Sequence, residues 1–112
     1  MKRVLFAAVL LLFAGPAFAG DDSPPEPCFE TVGCVADREI SEREAEKLGC
    51  EQLWTVRNGI YASRGYCFKT ARAREAFGNA GCQYDDQSQV PLNDYERANI
   101  GLIRAIEKRR GC

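Results

Sequence analysis

Hydrophobic residues recur every three or four positions through most of residues 40–110, which is the spacing of one buried helix face. Leu53, Val56 and Ile60 share one such stripe, and Ile103 and Ile106 share another. The pattern predicts four helices, at residues 42–48, 51–64, 71–77 and 94–110. Because both long helices carry an apolar stripe, we expect them to pack against each other.

The ends of these helices carry residues that satisfy unpaired backbone groups. Ser41 and Glu44 have the spacing of a capping box before the first helix. Asn93 and Glu96 repeat that spacing before the fourth. The glycines predicted to close helices in a left-handed conformation are Gly49, Gly65 and Gly111.

Two segments lack a helical pattern. Residues 28–39 hold two cysteines with five residues between them and suit a short stapled loop or hairpin. Residues 82–92 are predicted to be a loop. The predicted fold is all-α, a small disulfide-stapled bundle of about three to four short helices with irregular loops.

The first nineteen residues have the organisation of a secretory signal peptide. Two basic residues precede an apolar run that ends in Ala17-Phe18-Ala19, a pattern that signal peptidase cuts after. We predict cleavage after Ala19, a periplasmic or secreted location and no membrane insertion of the remainder. Residues 20–27, rich in acids and prolines, are predicted to be a flexible leader, and residues 28–112 a single domain.

The charge of the predicted mature chain bears on its partners. Removing 19 of the 112 residues leaves 93, with all 16 acids and 13 of the 15 bases, a formal charge of about −3. A net negative chain gains no general attraction to phosphate backbones. We therefore expect no nucleic-acid partner.

Six cysteines follow the predicted signal, at Cys28, Cys34, Cys50, Cys67, Cys82 and Cys112. No Cys-x-x-Cys pair occurs, so structural disulfides are favoured over a zinc site or redox chemistry. Six cysteines allow fifteen pairings, among which the sequence alone does not choose. We favour Cys28–Cys34, Cys67–Cys82 and Cys50–Cys112. The last pair requires the helix after Cys50 and the helix before Cys112 to be antiparallel.

Polar residues interrupt both apolar stripes. Arg57 lies among leucine and isoleucine on the second helix, and Glu96 and Asn99 lie on the stripe of the fourth. A guanidinium buried without an acceptor would cost several kcal/mol. We therefore predict a structural contact between Arg57 and Glu96, with Asn99 as a second polar partner.

The end of the second helix carries the candidate ligand-binding residues Tyr61, Arg64, Tyr66 and Phe68. Aromatic faces beside a guanidinium are typical of sites for sugars, carboxylates or peptide backbones. The alternative is that Tyr61 and Phe68 belong to the small core and that Arg64 binds helix-end carbonyls.

The amino-acid composition gives little support to a catalytic function. The chain contains no histidine, which removes the commonest general base and the commonest zinc ligand. Asp85 and Asp86 are adjacent carboxylates in a loop, but two acids without a longer series of oxygen ligands are weak evidence for a metal. We predict no catalytic residues, no metal and no cofactor.

Residues 53–68, with the sequence LWTVRNGIYASRGYCF, precede a short helix, an aromatic loop and Tyr95-Glu96-Arg97-Ala98-Asn99-Ile100. This order resembles the YARHG domain over roughly residues 40–110. The resemblance implies a presumed extracellular bacterial module with no established reaction, and the extra cysteines suggest a disulfide-reinforced variant. The chain departs from the motif, because Ser63 stands in place of its arginine and Arg64 in place of its histidine. A role that depends on the motif histidine therefore does not carry over to this chain, which contains no histidine.

These observations favour an exported, non-catalytic binding or interaction module. Its candidate partners are peptidoglycan or an envelope protein, bound through the region from Tyr61 to Phe68. The alternative is a small secreted effector or inhibitor-like protein that acts on another protein through exposed loops such as residues 82–92. A carboxylate-based enzyme is the least favoured interpretation.

Overall fold

The computed structural model describes residues 26–112. In that range the elements are β1 (Cys28–Phe29), β2 (Gly33–Cys34), α1 (Glu42–Glu46), α2 (Cys50–Ser63), α3 (Ala71–Phe77), a 3₁₀ helix (Gln87–Gln89) and α4 (Asp94–Arg110). The predicted all-α class is confirmed, since the two strands are only two residues long. The predicted signal peptide and most of the predicted leader lie outside the described residues.

The two strands form the hairpin that was one alternative for residues 28–39. They pair antiparallel, with Cys28 opposite Cys34 and Phe29 opposite Gly33. Gly33 has a φ of 73°, a left-handed conformation that glycine adopts without strain. Pro27 is buried, and its carbonyl accepts a hydrogen bond from the Val35 amide at 3.0 Å. The hairpin is thus anchored just before its first strand.

The core lies between α2 and α4, which run antiparallel. The Cys50–Cys112 disulfide joins the start of α2 to the second residue after α4, and the end of α2 reaches the start of α4 through Arg64 and Glu96. The predicted stripes meet there, with Leu53, Ile60 and Ile103 fully buried. Other elements close the core with Val32, Val35, Ile40, Ala45, Leu48, Phe68, Ala73 and Val90.

Most predicted helix ends are confirmed, and three need correction. The capping box before α1 is only half formed, since Ser41 Oγ accepts from the Glu44 amide at 3.1 Å but the Glu44 carboxylate accepts from the Ser41 hydroxyl rather than from its amide. The Asn93–Glu96 capping box is complete, with both reciprocal hydrogen bonds formed. Helix α1 ends at Glu46 rather than at residue 48. Gly49 does not close α1 in a left-handed turn, because its φ is −76° and it caps the start of α2 instead. Its amide donates to Gln52 Oε1 at 3.0 Å.

The described residues contain the three favoured disulfides, Cys28–Cys34, Cys50–Cys112 and Cys67–Cys82. At the end of α4, Gly111 is left-handed, with a φ of 69°. The Cys112 amide then donates back to the Glu107 carbonyl at 2.8 Å. This turn brings Cys112 over the helix end, where it can reach Cys50.

Candidate functional site

An open cleft of about 740 Å³ lies beside the C-terminal end of α2. We call it the motif cleft, because it borders residues 62–65, four of the five residues that resemble the family motif. One side is the hairpin and another is the loop of residues 78–84. The side chains that define it are Phe29, Arg64, Tyr66, Phe77, Ala80 and Tyr84.

Gly59 allows the hairpin to approach α2. A Cβ on this residue would lie 2.5 Å from Cε1 and 2.6 Å from Cζ of Phe29, closer than carbon atoms can pack. The glycine therefore makes room for the Phe29 ring, which is packed against the core. In the sequence, the one signal of this close approach between the hairpin and α2 is a glycine inside a predicted helix.

The loop wall of the motif cleft is held from several directions. The Cys67–Cys82 disulfide ties it to the segment after α2. The Asn79 side chain accepts from the Phe68 amide at 2.8 Å and donates to the Phe68 carbonyl at 2.9 Å. The Gly65 carbonyl accepts from the amides of residues 83 and 84, at 2.7 and 3.0 Å. This wall is therefore formed without a ligand.

Arg64 connects the motif cleft to the core. Its Nε lies 3.0 and 2.9 Å from the two carboxylate oxygens of Glu96, and its Nη2 lies 2.8 Å from Oε1. The Glu96 side chain is fully buried, whereas that of Arg64 is 28% exposed. Hydrogen bonding to Glu96 raises the pKa of the Arg64 guanidinium, which stays charged. Among residues 26–112, no hydrogen bond engages its Nη1.

The predicted contact between Arg57 and Glu96 is wrong. Arg57 instead pairs with Glu107, with Nε 2.6 Å from Oε1 and Nη2 3.0 Å from Oε2. Antiparallel packing places the middle of α2 opposite the second half of α4, and Glu96 lies at the start of α4. The partner of Glu96 is Arg64, at the other end of α2.

Asn99 is not a second partner of Arg57 either. Its Oδ1 accepts from the Ile40 amide at 2.7 Å, and its Nδ2 donates to the carbonyls of Val35 and Arg38 at 3.1 and 2.9 Å. The residue is 1% exposed. It therefore fixes the segment between the hairpin and α1 onto α4.

The four predicted ligand-binding residues divide into two groups. Arg64 and Tyr66 line the motif cleft. Tyr61 and Phe68 are buried in the core, as the alternative interpretation of these two residues predicts. The Tyr66 ring packs edge-on against Phe68, with centroids 5.0 Å apart, so the core holds it in place. Sequence reasoning missed Phe29, Phe77 and Tyr84, because only the tertiary fold brings them to the end of α2.

The acidic residues of the loop have a local structural task. Asp86 caps the 3₁₀ helix by accepting from the Ser88 amide at 2.9 Å. Hydrogen bonding from the Ser88 backbone, and then from its side chain, lowers the pKa of the Asp86 carboxyl. Asp85 is exposed.

The described residues offer little for a metal ion or for a membrane span. In the described range, the one cluster of three groups that could hold an ion is Glu26, Cys28 and Cys34. Both of its sulfur atoms are consumed in a disulfide and offer no thiolate. None of the helices formed by residues 26–112 combines the length and the apolar character that crossing a bilayer requires.

The described residues form a small helical module that disulfides staple around an aromatic cleft. The family model described as the YARHG domain matches residues 31–108. The chain therefore belongs to the YARHG family, a presumed extracellular domain of unknown function. No curated protein and no solved structure matches it.

Proposed function

We propose that this chain is an exported, non-catalytic bacterial binding module whose ligand lies in the motif cleft. The observation that carries the proposal is an open cleft of about 740 Å³ with walls already fixed by a disulfide and hydrogen bonds. Ligand sites typically have volumes of roughly 300–1,000 Å³ and are largely formed before binding. A fixed wall lowers the entropy lost when the ligand binds.

The groups around the cleft suit a ligand with ring faces and oxygen acceptors. Tyr66 and Tyr84 offer aromatic faces on which sugars or flat peptide groups can stack. The Nη1 of Arg64 can donate to a carboxylate or carbonyl. Peptidoglycan combines sugar rings with carboxylate-bearing peptides, so it is our first candidate. An extended segment of an envelope protein is the second.

Co-sedimentation of oxidised residues 20–112 with insoluble peptidoglycan tests the proposal. The informative variant is Ala80→Gln, because this exposed alanine lines the cleft and a larger neutral side chain would obstruct it. Ala105→Gln is the matched control, an exposed alanine on α4 that does not line the cleft. Arg64 is a poor probe, since its removal would leave a buried carboxylate unpaired.

We expect the wild type and Ala105→Gln to sediment with the polymer and Ala80→Gln to remain in the supernatant. Wild-type protein that stays in solution would contradict wall binding and favour an envelope protein as the ligand. Equal sedimentation of all three would place the binding surface outside the motif cleft. Circular dichroism of each variant establishes that it is folded.

The alternative function, an effector or inhibitor that acts on another protein, places the contact in residues 82–92. This segment divides between two surfaces. Gln83 and Tyr84 line the motif cleft, whereas Gln87, Ser88 and Val90 line a second depression on α4.

A further inference from the structure

The second depression lies between the 3₁₀ segment and the outer face of α4, and its volume is about 380 Å³. We call it the α4 notch and define it by Tyr61, Gln87, Leu92, Arg97, Gly101 and Arg104. It shares no lining residue with the motif cleft. We propose that the α4 notch binds a carboxylate-bearing extended segment of a partner protein.

The position of Gly101 is the first feature that indicates a partner. It lies in the interior of α4, where glycine is less favourable than alanine. A Cβ at this position would meet nothing within 4 Å among the described residues. Gly59 differs in this respect, because the Phe29 ring occupies the space that a Cβ on Gly59 would need. Packing among residues 26–112 gives no reason for Gly101, but an approaching backbone would.

Arg104 supplies a positive charge that an anion can bind. Its Nη2 donates to Gln87 Oε1 at 3.1 Å and to the Tyr61 hydroxyl at 3.3 Å, both neutral oxygens. No carboxylate of the described residues lies within 4.0 Å of it. These two contacts orient the guanidinium over the notch without neutralising its charge. An incoming carboxylate would complete a charge-assisted hydrogen bond.

Arg97 provides a second cation on the other side of Gly101. Its partner Asp94 is 95% exposed, and ion pairs this exposed are weak enough to exchange. Arg104 lies seven positions after Arg97, which is about 10 Å along a helix. A polyproline-type segment rises roughly 3.1 Å per residue with three residues per turn. Acidic side chains three residues apart would therefore lie about 9 Å apart on one face and could meet both arginines.

A pair of synthetic peptides tests this directly. The probe is acetyl-Pro-Glu-Pro-Pro-Glu-Pro-amide carrying a fluorophore, and its control has glutamine at both glutamate positions. Anisotropy should show that the oxidised wild-type protein binds the glutamate peptide about tenfold more tightly than the glutamine peptide. Equal affinity for the two peptides would overturn the proposal, as would no binding of the glutamate peptide at millimolar concentration.

Variants of the protein locate the site. Gly101→Leu fills the notch with a good helix former, so the variant should fold and still lose affinity about tenfold. Arg104→Gln should weaken binding similarly. Lys47→Gln removes the same charge from an exposed position just after α1, outside the notch, and should change the affinity less than about twofold. If Gly101→Leu binds like the wild type, or if both charge variants lose affinity equally, the proposal is wrong.

Ala80→Gln should bind the peptide with wild-type affinity, because Ala80 lines the motif cleft and not the α4 notch. Peptide binding thus tests the α4 notch independently of the function proposed for the motif cleft.

Discussion

At the scale of single residues, Glu96 combines two tasks in a side chain with no exposure to solvent. One of its oxygens accepts from the Asn93 amide at 3.1 Å and completes the capping box of α4. The same carboxylate holds the Arg64 guanidinium at the border of the motif cleft. A buried carboxylate is tolerated only with a charge partner and satisfied hydrogen bonds. Arg64 is therefore as much a requirement of the fold as a feature of the motif.

The two partners of this pair should respond unequally to substitution. Arg64→Met leaves a fully buried carboxylate unpaired and should lower the free energy of unfolding by about 3–5 kcal/mol. Glu96→Gln keeps an oxygen for the Asn93 amide and leaves a guanidinium that water can reach, so it should cost only about 1–2 kcal/mol. Urea denaturation of both variants measures the difference. A Glu96→Gln variant that is the less stable of the two would contradict this account.

The two glycines inside the long helices should behave in opposite ways when changed to alanine. Gly59→Ala places a methyl group against the Phe29 ring, and the forced repacking should cost about 1–3 kcal/mol. Gly101→Ala adds a methyl group in open space and should gain about 0.5–1 kcal/mol from helix propensity. Thermal unfolding of the two variants and of the wild type shows whether each substitution lowers or raises the stability. Destabilisation by Gly101→Ala would mean that α4 itself needs the glycine.

Between elements, the register of α2 against α4 decides which charges meet. The Cys50–Cys112 disulfide joins the start of α2 to the end of α4, so positions near the middle of α2 face the second half of α4. Arg57 accordingly meets Glu107, which lies eleven residues beyond Glu96, or about 16 Å along the helix. The predicted disulfide and the predicted Arg57–Glu96 contact were thus incompatible. The Arg57–Glu96 prediction rests on stripes within single helices, and such stripes do not contain the register between two helices.

The elements themselves were predictable because their signals are local. Asn93 and Glu96 cap α4 from residues three apart, and Gly111 ends it in the expected left-handed turn. Gly49 shows where local signals become ambiguous, since a glycine between two helices can close one or begin the other. The Asn99 contacts to the segment before α1 were not predictable, because they join residues about sixty positions apart.

The candidate site was predictable only in part for the same reason. Arg64 and Tyr66 stand beside the motif in the sequence, and the structure places both on the motif cleft. Phe29 and Tyr84 come from segments far from the motif along the chain, and the hairpin and the Cys67–Cys82 loop bring them there. A sequence pattern locates one wall of a cleft, whereas the opposite wall depends on tertiary contacts.

For the whole molecule, three disulfides support a core too small to be very stable alone. A domain of this size buries only about 60–65% of its unfolded surface, so cross-links contribute a large share of its stability. The bridges close chain segments of very different length. Their sequence separations are 62 residues for Cys50–Cys112, 15 for Cys67–Cys82 and 6 for Cys28–Cys34.

These separations predict an order of importance. In the chain-entropy description, a cross-link stabilises the fold by restricting the unfolded chain, and its effect grows with the logarithm of the enclosed length. Replacing both cysteines by alanine should therefore cost about 4 kcal/mol for Cys50–Cys112, about 3 for Cys67–Cys82 and about 2 for Cys28–Cys34. Guanidinium denaturation of the three double variants gives the order.

A larger loss for the Cys28–Cys34 variant than for the Cys50–Cys112 variant would contradict this order. It would mean that the hairpin stabilises the fold chiefly in the native state, by holding Phe29 over Gly59, rather than by restricting the unfolded chain. Combining that double variant with Gly59→Ala separates the two explanations. If the disulfide acts by holding Phe29 in place, the two losses should fall short of additive, whereas an effect on the unfolded chain alone should leave them additive.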